Sequence, residues 1–233
     1  MISMFLNSRG RVKRLQELFN SIVKTTRDYT NIEVLIRIDE DDVETVNFSR
    51  INIYPFEIRY IVGQRPDNLI TSYNELASQC KGDYLFVLND DVDILTQNWD
   101  DEVRKVPSNE IWLLSTHDTS IDKTNTVNKD DNNYGSFLIH TKASYEALGY
   151  FMDDRVKTLG GDSMLWRLYS AVDRIKWIDV TVDHVYHNTI QKVVRPDQTA
   201  FEYRQKLDVD PWTIDIDSEI KRLSLEIKKK NNG

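Results

Sequence analysis

The sequence predicts an α/β protein in which a mostly parallel sheet is flanked by helices and followed by a C-terminal helical extension. Short apolar runs alternate with segments of helical periodicity over residues 1–95, which is the pattern of right-handed βαβ units. One of these runs, residues 84–88, is wholly apolar, as expected of a strand that is covered on both faces. Sheets of this kind bind ligands at the carboxyl ends of their strands.

The first half of the chain is predicted to contain four strands and two helices. The strands are expected at residues 1–7, 32–38, 58–62 and 84–88, which are apolar runs bounded by turn-forming residues. The first helix is expected over residues 12–26, where apolar residues recur every three or four positions. The second begins with Asp67 or Asn68 as its N-cap, and Gly82 lies past its end.

The second half is less regular. Strands are expected at residues 111–114, 136–139 and 177–182. Short helices are expected from Asn98 to about Lys105, from Thr141 to Gly149, and from Gly160 through Tyr169. The intervening residues 116–134 are almost wholly polar and predict a long loop, a feature that in compact domains is usually functional or disordered.

We expect one domain over residues 1–188, with halves 1–95 and 96–188, and a polar tail over 189–233 that contains an amphipathic helix. The apolar residues of that helix recur on one stripe, which predicts docking on the domain, and lysines at its C-terminus suit the helix dipole. The alternative is peripheral contact between this basic helix and a membrane. No apolar run approaches the ~20 residues of a transmembrane helix, and the N-terminal run is too short for a signal peptide.

Composition excludes several classes of protein. The 233 residues are enough for one substantial core. A net charge of −8 gives no reason to expect a nucleic-acid partner. The single cysteine, Cys80, excludes an intramolecular disulfide and favours a reducing, cytoplasmic location.

Acidic residues follow two of the predicted strands. Asp39 ends one, and the buried strand is followed by Asn89, Asp90, Asp91 and Asp93. If the chain stays extended, Asn89, Asp91 and Asp93 project to one side and Asp90 to the other. Neighbouring carboxylates repel one another, and a bound Mg²⁺ or Mn²⁺ relieves this repulsion. The alternative is a solvated acidic turn. An EF-hand is excluded because Ile94 occupies the position that requires glycine.

Several segments, in order, resemble family 2 glycosyltransferases. They are residues 8–15, the strand ending at Asp39, residues 65–69 with 73–77, and residues 88–93, followed by residues 148–151, 160–162 and 183–187. The resemblance covers about residues 1–188. It implies the GT-A fold, a nucleoside-diphosphate sugar donor, a carbohydrate or other hydroxyl acceptor, Mn²⁺ or Mg²⁺, and inverting transfer. The sequence leaves retention open as the alternative to inversion.

The resemblance also implies functions for individual residues. The donor site would contain Arg9, Asp39, Arg65, Asn74 and Asp90. The family's Asp-x-Asp motif, whose last aspartate binds the metal, can be aligned in two ways. If Asn89 replaces the first aspartate, the metal ligand is Asp91; if the motif is Asp91-Val92-Asp93, the ligand is Asp93. We favour Asp91 and keep Asp93 as the alternative. The resemblance makes His187 a further metal ligand, whereas His184 either packs in the interior or faces the site.

Asp162 matches the family's catalytic position, where one carboxylate takes the proton of the acceptor hydroxyl. The same position at a helix start also suits an N-cap. Four aromatic residues are candidates for stacking on sugars: Trp99, Trp112, Trp166 and Tyr134. For the three tryptophans, packing in the core is favoured over stacking. The acids expected to be solvated in the long loop are Asp118, Asp122, Asp130 and Asp131.

Two other functions remain as alternatives. A nucleotidyltransferase shares the architecture, but its phosphate loop is usually rich in glycine, and the segment after the first strand contains only Gly10. The second alternative is a non-catalytic nucleotide- or sugar-binding domain. Asn89 favours it, and Asp162 and His187 oppose it.

Overall fold

A computed structural model describes residues 1–51, 53–119, 137–157, 160–184 and 209–231. Within these ranges the strands are β1 (Ile2–Ser8), β2 (Ile32–Asp39), β3 (Glu57–Gly63), β4 (Tyr84–Val87), β5 (Val92–Ile94), β6 (Leu113–Asp118), β7 (Leu138–Thr141) and β8 (Ile175–His184). The α-helices are α1 (Val12–Thr25), α2 (Val43–Phe48), α3 (Leu69–Ser78), α4 (Trp99–Arg104), α5 (Lys142–Leu148), α6 (Gly161–Ala171) and α7 (Asp217–Asn231). A 3-10 helix spans Tyr29–Asn31.

The described strands form one sheet in the order β3-β2-β1-β4-β7-β6-β8-β5. The strands from β3 to β4 are parallel, while β7 runs antiparallel to both of its neighbours and β5 runs antiparallel to β8. The predicted α/β class, with a mostly parallel sheet between helices, is confirmed. The carboxyl ends of β1, β2 and β4 lie side by side, because parallel strands share their direction.

The sheet separates two apolar cores. Phe86 and Leu88 belong to the core beneath α1 and α4, whereas Leu85 and Val87 belong to the core beneath α3, α5 and α6. All four side chains are buried. The prediction that β4 is covered on both faces is therefore confirmed, and its position next to β1 in the middle of the sheet explains its apolar sequence.

Local capping chemistry accounts for two of the predicted helix ends. Asn68 Oδ1 accepts a hydrogen bond from the backbone N–H of Ile70 at 2.8 Å, and Thr141 Oγ1 accepts one from Ser144 at 3.3 Å. Gly149 ends α5 in the left-handed region with φ +74°. The prediction that Asn98 caps α4 is wrong: its φ is +56° and its side chain makes no capping bond.

Several element boundaries in the second half differ from the sequence prediction. β6 begins at Leu113 and continues to Asp118, so the residues after 115 that were expected in the loop are strand residues. β7 lies two residues later than expected, and β8 extends beyond both predicted ends. Neither α2, with six residues, nor β5, with three, was predicted. Segments this short carry too little periodicity, and β5 exists because β8 pairs with it.

The C-terminal helix docks on the domain as expected. Leu223 is fully buried, and Ile216, just before the helix, is 7 % exposed. Arg155 Nη2 lies 2.7 Å from Glu219 Oε1, which ties α7 to the loop after α5. No helix in the described part of the chain combines the length and the apolar composition that a bilayer span requires.

Candidate active site

Asp90 lies in a turn at the carboxyl end of β4. Its Oδ2 accepts a hydrogen bond from Ser8 Oγ at 2.9 Å, and its Oδ1 accepts one from Arg11 Nη1 at 2.9 Å. Burial raises the pKa of Asp90 to about 6, against the opposing effect of the Arg11 charge. The acid is thus held in place by the end of β1 and the start of α1.

Asp91 lies between two other side chains. Arg11 Nη1 is 3.5 Å from its Oδ2, and His184 Nε2 is 3.4 Å from its Oδ1. Burial raises the pKa of Asp91, but the interactions with His184 and Arg11 outweigh burial and hold this pKa below its ordinary value. Asp91 is therefore ionised, although its side chain is only 10 % exposed.

The expected alternation of side chains after β4 is wrong. β4 ends at Val87, and the chain turns at Asp90 and Asp91 before β5 begins. Asn89 accepts a hydrogen bond from the hydroxyl of Tyr73 on α3 at 3.0 Å, while Asp90 and Asp91 both reach Arg11. Asn89 and Asp91 therefore point to different neighbours, because side chains alternate regularly only where the chain remains extended.

Asp93 is placed on β5, opposite Asp183 of β8. Arg14 Nη2 of α1 lies 3.4 Å from its Oδ1. Burial raises the pKa of Asp93, while the Arg14 charge lowers it. The structure thus pairs Asp93 with α1, whereas Asp91 adjoins the end of β8.

A second acidic cluster follows β2. Arg9 Nη1 lies 3.0 Å from Asp39 Oδ2, and Arg9 Nη2 lies 2.9 Å from Asp41 Oδ2. Burial raises the pKa of Asp39, and the charges of Arg9 and Arg65 act against this shift. Arg9, Asp39 and Arg65, which the sequence assigned to one site, therefore lie near one another at the edge that also carries Asp90 and Asp91.

Asp162 lies in the first turn of α6, two positions after Gly160, the residue at the N-cap position. Its Oδ1 accepts a hydrogen bond from the backbone N–H of Ser163 at 2.8 Å. Burial raises the pKa of Asp162 above its ordinary value, and the bond from Ser163 opposes this shift. A carboxylate with a raised pKa is a stronger proton acceptor, which is the property a general base needs.

The sequence that builds this fold matches a known family. The profile described as glycosyl transferase family 2 matches residues 3–164, which is more than half of the chain. The chain belongs to glycosyl transferase family 2. It is therefore a glycosyltransferase that uses a nucleotide-sugar donor. No curated protein sequence matches the chain significantly.

Solved structures share the fold of this family 2 glycosyltransferase. Residues 1–349 of TarS from S. aureus, in complex with UDP, are 12 % identical with a TM-score of 0.59, over 99 % of this chain and 71 % of that one. The mannosyltransferase PcManGT from Pyrobaculum calidifontis, with GDP-Man and Mn²⁺, is 10 % identical with a TM-score of 0.60, over 100 % and 75 %. GalNAc-T7 with UDP, GalNAc and Mn²⁺ is 12 % identical with a TM-score of 0.63, over 100 % and 56 %. The predicted GT-A fold is confirmed.

In this family 2 enzyme Asn74 is engaged with the backbone. Its Oδ1 accepts hydrogen bonds from the N–H groups of Phe151 and Met152, both at 2.9 Å, and its Nδ2 donates to the carbonyl of Met152 at 2.8 Å. The amide thereby joins α3 to the loop after α5. This geometry favours a structural function for Asn74 over direct contact with a donor.

Within the described ranges, no three His, Cys, Asp or Glu side chains are grouped so that they could hold a cation together. His187, the third expected ligand, lies outside those ranges, as do Tyr134, Asp122, Asp130 and Asp131. A cation nevertheless fits at Asp91. Its buried Oδ1 accepts no hydrogen bond of normal geometry from the described residues, and a carboxylate oxygen beside an imidazole is suitable for Mn²⁺.

The structure corrects one prediction, for Asp118, and decides between two alternatives for His184. Asp118 was expected to be solvated, but its side chain is 1 % exposed and its Oδ2 lies 3.8 Å from His184 Nδ1. For His184 the sequence allowed either packing in the interior or a position in the site, and the structure places it against Asp91. One sequence signal was present, because Val180, Val182 and His184 alternate along β8, which places His184 on the same face as two core residues.

Proposed function

We propose that this glycosyltransferase uses Mn²⁺ or Mg²⁺ and transfers a sugar with inversion from a nucleoside diphosphate to an acceptor hydroxyl. The observation that carries the proposal is Asp91, an ionised carboxylate whose buried Oδ1 lies 3.4 Å from His184 Nε2 and accepts no hydrogen bond of normal geometry from the described residues. Asp91 follows β4 and Asp39 ends β2, and because both strands pair in parallel with β1, the two acids lie at the same edge of the sheet, which supports the same assignment. The solved structures of PcManGT and GalNAc-T7, which share this fold, contain Mn²⁺.

The cluster of Arg9, Asp39 and Arg65 supports a nucleoside site. Asp39 is 7 % exposed, and Arg9 holds its carboxylate in place. A fixed carboxylate at a strand end accepts hydrogen bonds from ribose hydroxyls or a base N–H, and the arginines favour the anionic diphosphate. TarS binds UDP and PcManGT binds GDP-Man, so uracil and guanine are the first bases to test.

The proposed chemistry divides between the two ends of the site. Asp91, together with His184 or His187, would hold the divalent cation, which would supply positive charge to neutralise the departing diphosphate. Asp162 accepts the proton of the acceptor hydroxyl while that oxygen bonds to the anomeric carbon and the bond from this carbon to the diphosphate oxygen breaks. The raised pKa of Asp162 suits this proton transfer. Arg11 holds the turn that presents Asp91.

The family match favours transfer over the two alternatives considered from the sequence. A nucleotidyltransferase would require a glycine-rich phosphate loop, and the segment between β1 and α1 is short and held by side chains: Gly10 N–H donates to Asp42 Oδ2 at 2.7 Å. Asn89, the residue that favours a non-catalytic binding domain, is hydrogen-bonded to Tyr73. The side-chain oxygen of Asn89 is therefore engaged within the protein, which gives no support to a binding function for this residue.

The test is thermal unfolding of the purified chain with UDP, GDP, ADP, CDP or dTDP, each with Mn²⁺ or with EDTA. A ligand at 100 times its Kd stabilises the native state by about 2.7 kcal/mol, so a bound nucleotide raises Tm measurably. We expect one base to raise Tm in Mn²⁺ and not in EDTA. No rise with any nucleotide would contradict the proposal, and an equal rise in EDTA would contradict its metal dependence.

Inversion is tested separately once the donor base is known. The anomeric configuration of the first product formed from the corresponding α-linked sugar nucleotide can be read by NMR. A β-configured product supports inversion. An α-configured product would contradict inversion while leaving sugar transfer intact.

A further inference from the structure

Three aromatic rings form a contiguous cluster, the aromatic row, between α6 and the strands β6 and β8. The indole rings of Trp166 and Trp177 meet edge to face with centroids 5.8 Å apart. The imidazole of His117 stacks on Trp177 with centroids 5.1 Å apart and an interplanar angle of 24°. Trp177 is 38 % exposed and His117 is also exposed. Large aromatic rings are usually buried more deeply, so this exposure points to a binding surface.

The aromatic row begins beside Asp162. Trp166 is four residues after Asp162 on α6, and residues at this spacing lie one above the other on the same helix face, about 6 Å apart. Trp166 then contacts Trp177, which contacts His117. The row therefore leads from the proposed base across α6 to the second half of the sheet, away from the clusters at Asp39 and Asp91.

The side of β8 that carries Trp177 is polar from Trp177 onward. Ile178, Val180 and Val182 of β8 point into the core beneath α1 and α4. Because side chains alternate along a strand, Trp177, Asp179, Thr181 and Asp183 point to the opposite face. These four side chains are exposed or partly exposed. The exposed part of Trp177, with Asp179 two positions along the same strand, combines an apolar surface with hydrogen-bond acceptors.

We propose that Trp177 and His117 form a stacking surface for a carbohydrate ring of the acceptor. The inference rests on the proposed function, because it requires the acceptor hydroxyl to reach Asp162. A pyranose has an apolar face of C–H groups and a rim of hydroxyls, which match the ring of Trp177 and the acids along β8. Trp166 supports the ring of Trp177 from α6. The occupant is a neutral oligosaccharide, since Asp179, two positions from Trp177 on β8, disfavours an anionic sugar.

The experiment is saturation-transfer NMR and calorimetry of the purified chain with trisaccharides of glucose, galactose, mannose and N-acetylglucosamine. We expect at least one trisaccharide to bind. Trp177→Ala should then weaken its binding at least tenfold, and Trp177→Phe, which keeps an aromatic ring, should restore it to within about threefold of the wild type. His117 ring resonances should shift on titration with the same sugar.

Trp112→Ala is the matched control. Trp112 lies just before β6 and is more buried than Trp177, and its ring packs against Arg174 at 4.8 Å and against the core beneath α1. This variant should bind the trisaccharide as the wild type does. The proposal fails if no trisaccharide binds the wild type, or if Trp177→Ala binds as tightly as Trp112→Ala.

Nucleotide binding, measured on the same variants, separates this inference from the proposed function. Trp177→Ala should retain the full metal-dependent rise in Tm with the nucleoside diphosphate. Loss of nucleotide binding in Trp177→Ala would show that the substitution disturbs the whole site and would contradict the inference. Absence of nucleotide binding in the wild type would contradict the proposed function instead.

Discussion

His184 Nε2 lies 3.4 Å from Asp91 Oδ1, and this contact joins the end of β8 to the turn that follows β4. The two residues are 93 positions apart in the sequence. Their contact follows from the antiparallel pairing of β5 with β8, in which Val92, the neighbour of Asp91, is opposite His184. The proposed cation site is thus assembled from both halves of the domain.

Replacing Asp91 should abolish metal-dependent donor binding. Asp91→Asn retains the shape of the side chain but removes the charge that a hard divalent cation requires. We expect the rise in Tm with nucleotide and Mn²⁺ to fall to the value measured in EDTA. Glu44→Gln is a suitable control, because Glu44 is exposed on α2 and lies outside both acidic clusters. Unchanged metal dependence in Asp91→Asn would assign the cation to other residues.

Replacing Asp162 should separate binding from transfer. Asp162→Asn removes the proposed base, and loss of general base catalysis typically lowers a rate by about 100- to 10,000-fold. We expect kcat for transfer to fall within this range while the Kd of the nucleotide stays within about twofold. Steady-state kinetics and calorimetry on the same preparation provide the two values. Transfer at the wild-type rate would remove Asp162 from the mechanism.

His140 should make the protein unstable in acid. It is fully buried on β7, and neither ring nitrogen makes a normal hydrogen bond to the described residues. Burial lowers its pKa to about 3, against a weaker interaction with the backbone of Phe151. Between pH 6.5 and about 3 the unfolded chain therefore binds a proton at His140 that the native state does not. Above pH 6.5, His140 is neutral in both states and does not lower the free energy of unfolding. Below pH 6.5, protonation of His140 in the unfolded chain lowers this free energy by about 1.4 kcal/mol per pH unit.

The variant that tests this pH dependence is His140→Phe, which keeps an aromatic ring among Phe151 and Tyr169. Urea unfolding at pH 7, 6 and 5 should give a shallower loss of stability in His140→Phe than in the wild type. At pH 7 the variant should be as stable as the wild type to within about 1 kcal/mol, because no normal hydrogen bond is lost. Parallel pH curves for the two proteins would exclude His140 as the cause.

Gly160 should tolerate alanine less well than Gly149. Both are in the left-handed region, with φ +95° and +74°, where alanine costs about 1 kcal/mol. A Cβ at Gly160 would lie 2.5 Å from Pro211 Cγ, whereas nothing lies within 4 Å at Gly149. Gly160→Ala should therefore lower the free energy of unfolding by at least about 1 kcal/mol more than Gly149→Ala. Gly160→Ala should also increase hydrogen exchange in residues 210–216. Equal losses of stability in Gly160→Ala and Gly149→Ala would contradict this packing argument.

The sequence by itself determined the features whose causes are local. The apolar run that forms β4 predicted a buried central strand, and the acids after it and at the end of β2 predicted a site at one edge of the sheet. The caps at Asn68 and Thr141 were predictable because one side chain satisfies the first backbone N–H groups of its own helix. The position of Asp162 at the start of α6 followed from the glycines before it.

The tertiary structure decided which distant residues meet. The turn at Asp90 and Asp91 ends the alternation that a strand would have continued, so the directions of these acids depend on Ser8, Arg11 and His184. Trp177 and His117 come together because β6 and β8 are adjacent and a register shift follows Ser115. Local sequence patterns carry information about hydrogen bonds and burial within one element. The pairing and register of strands depend instead on burial of the whole sheet. The pairing of β5 with β8 placed His184 beside Asp91.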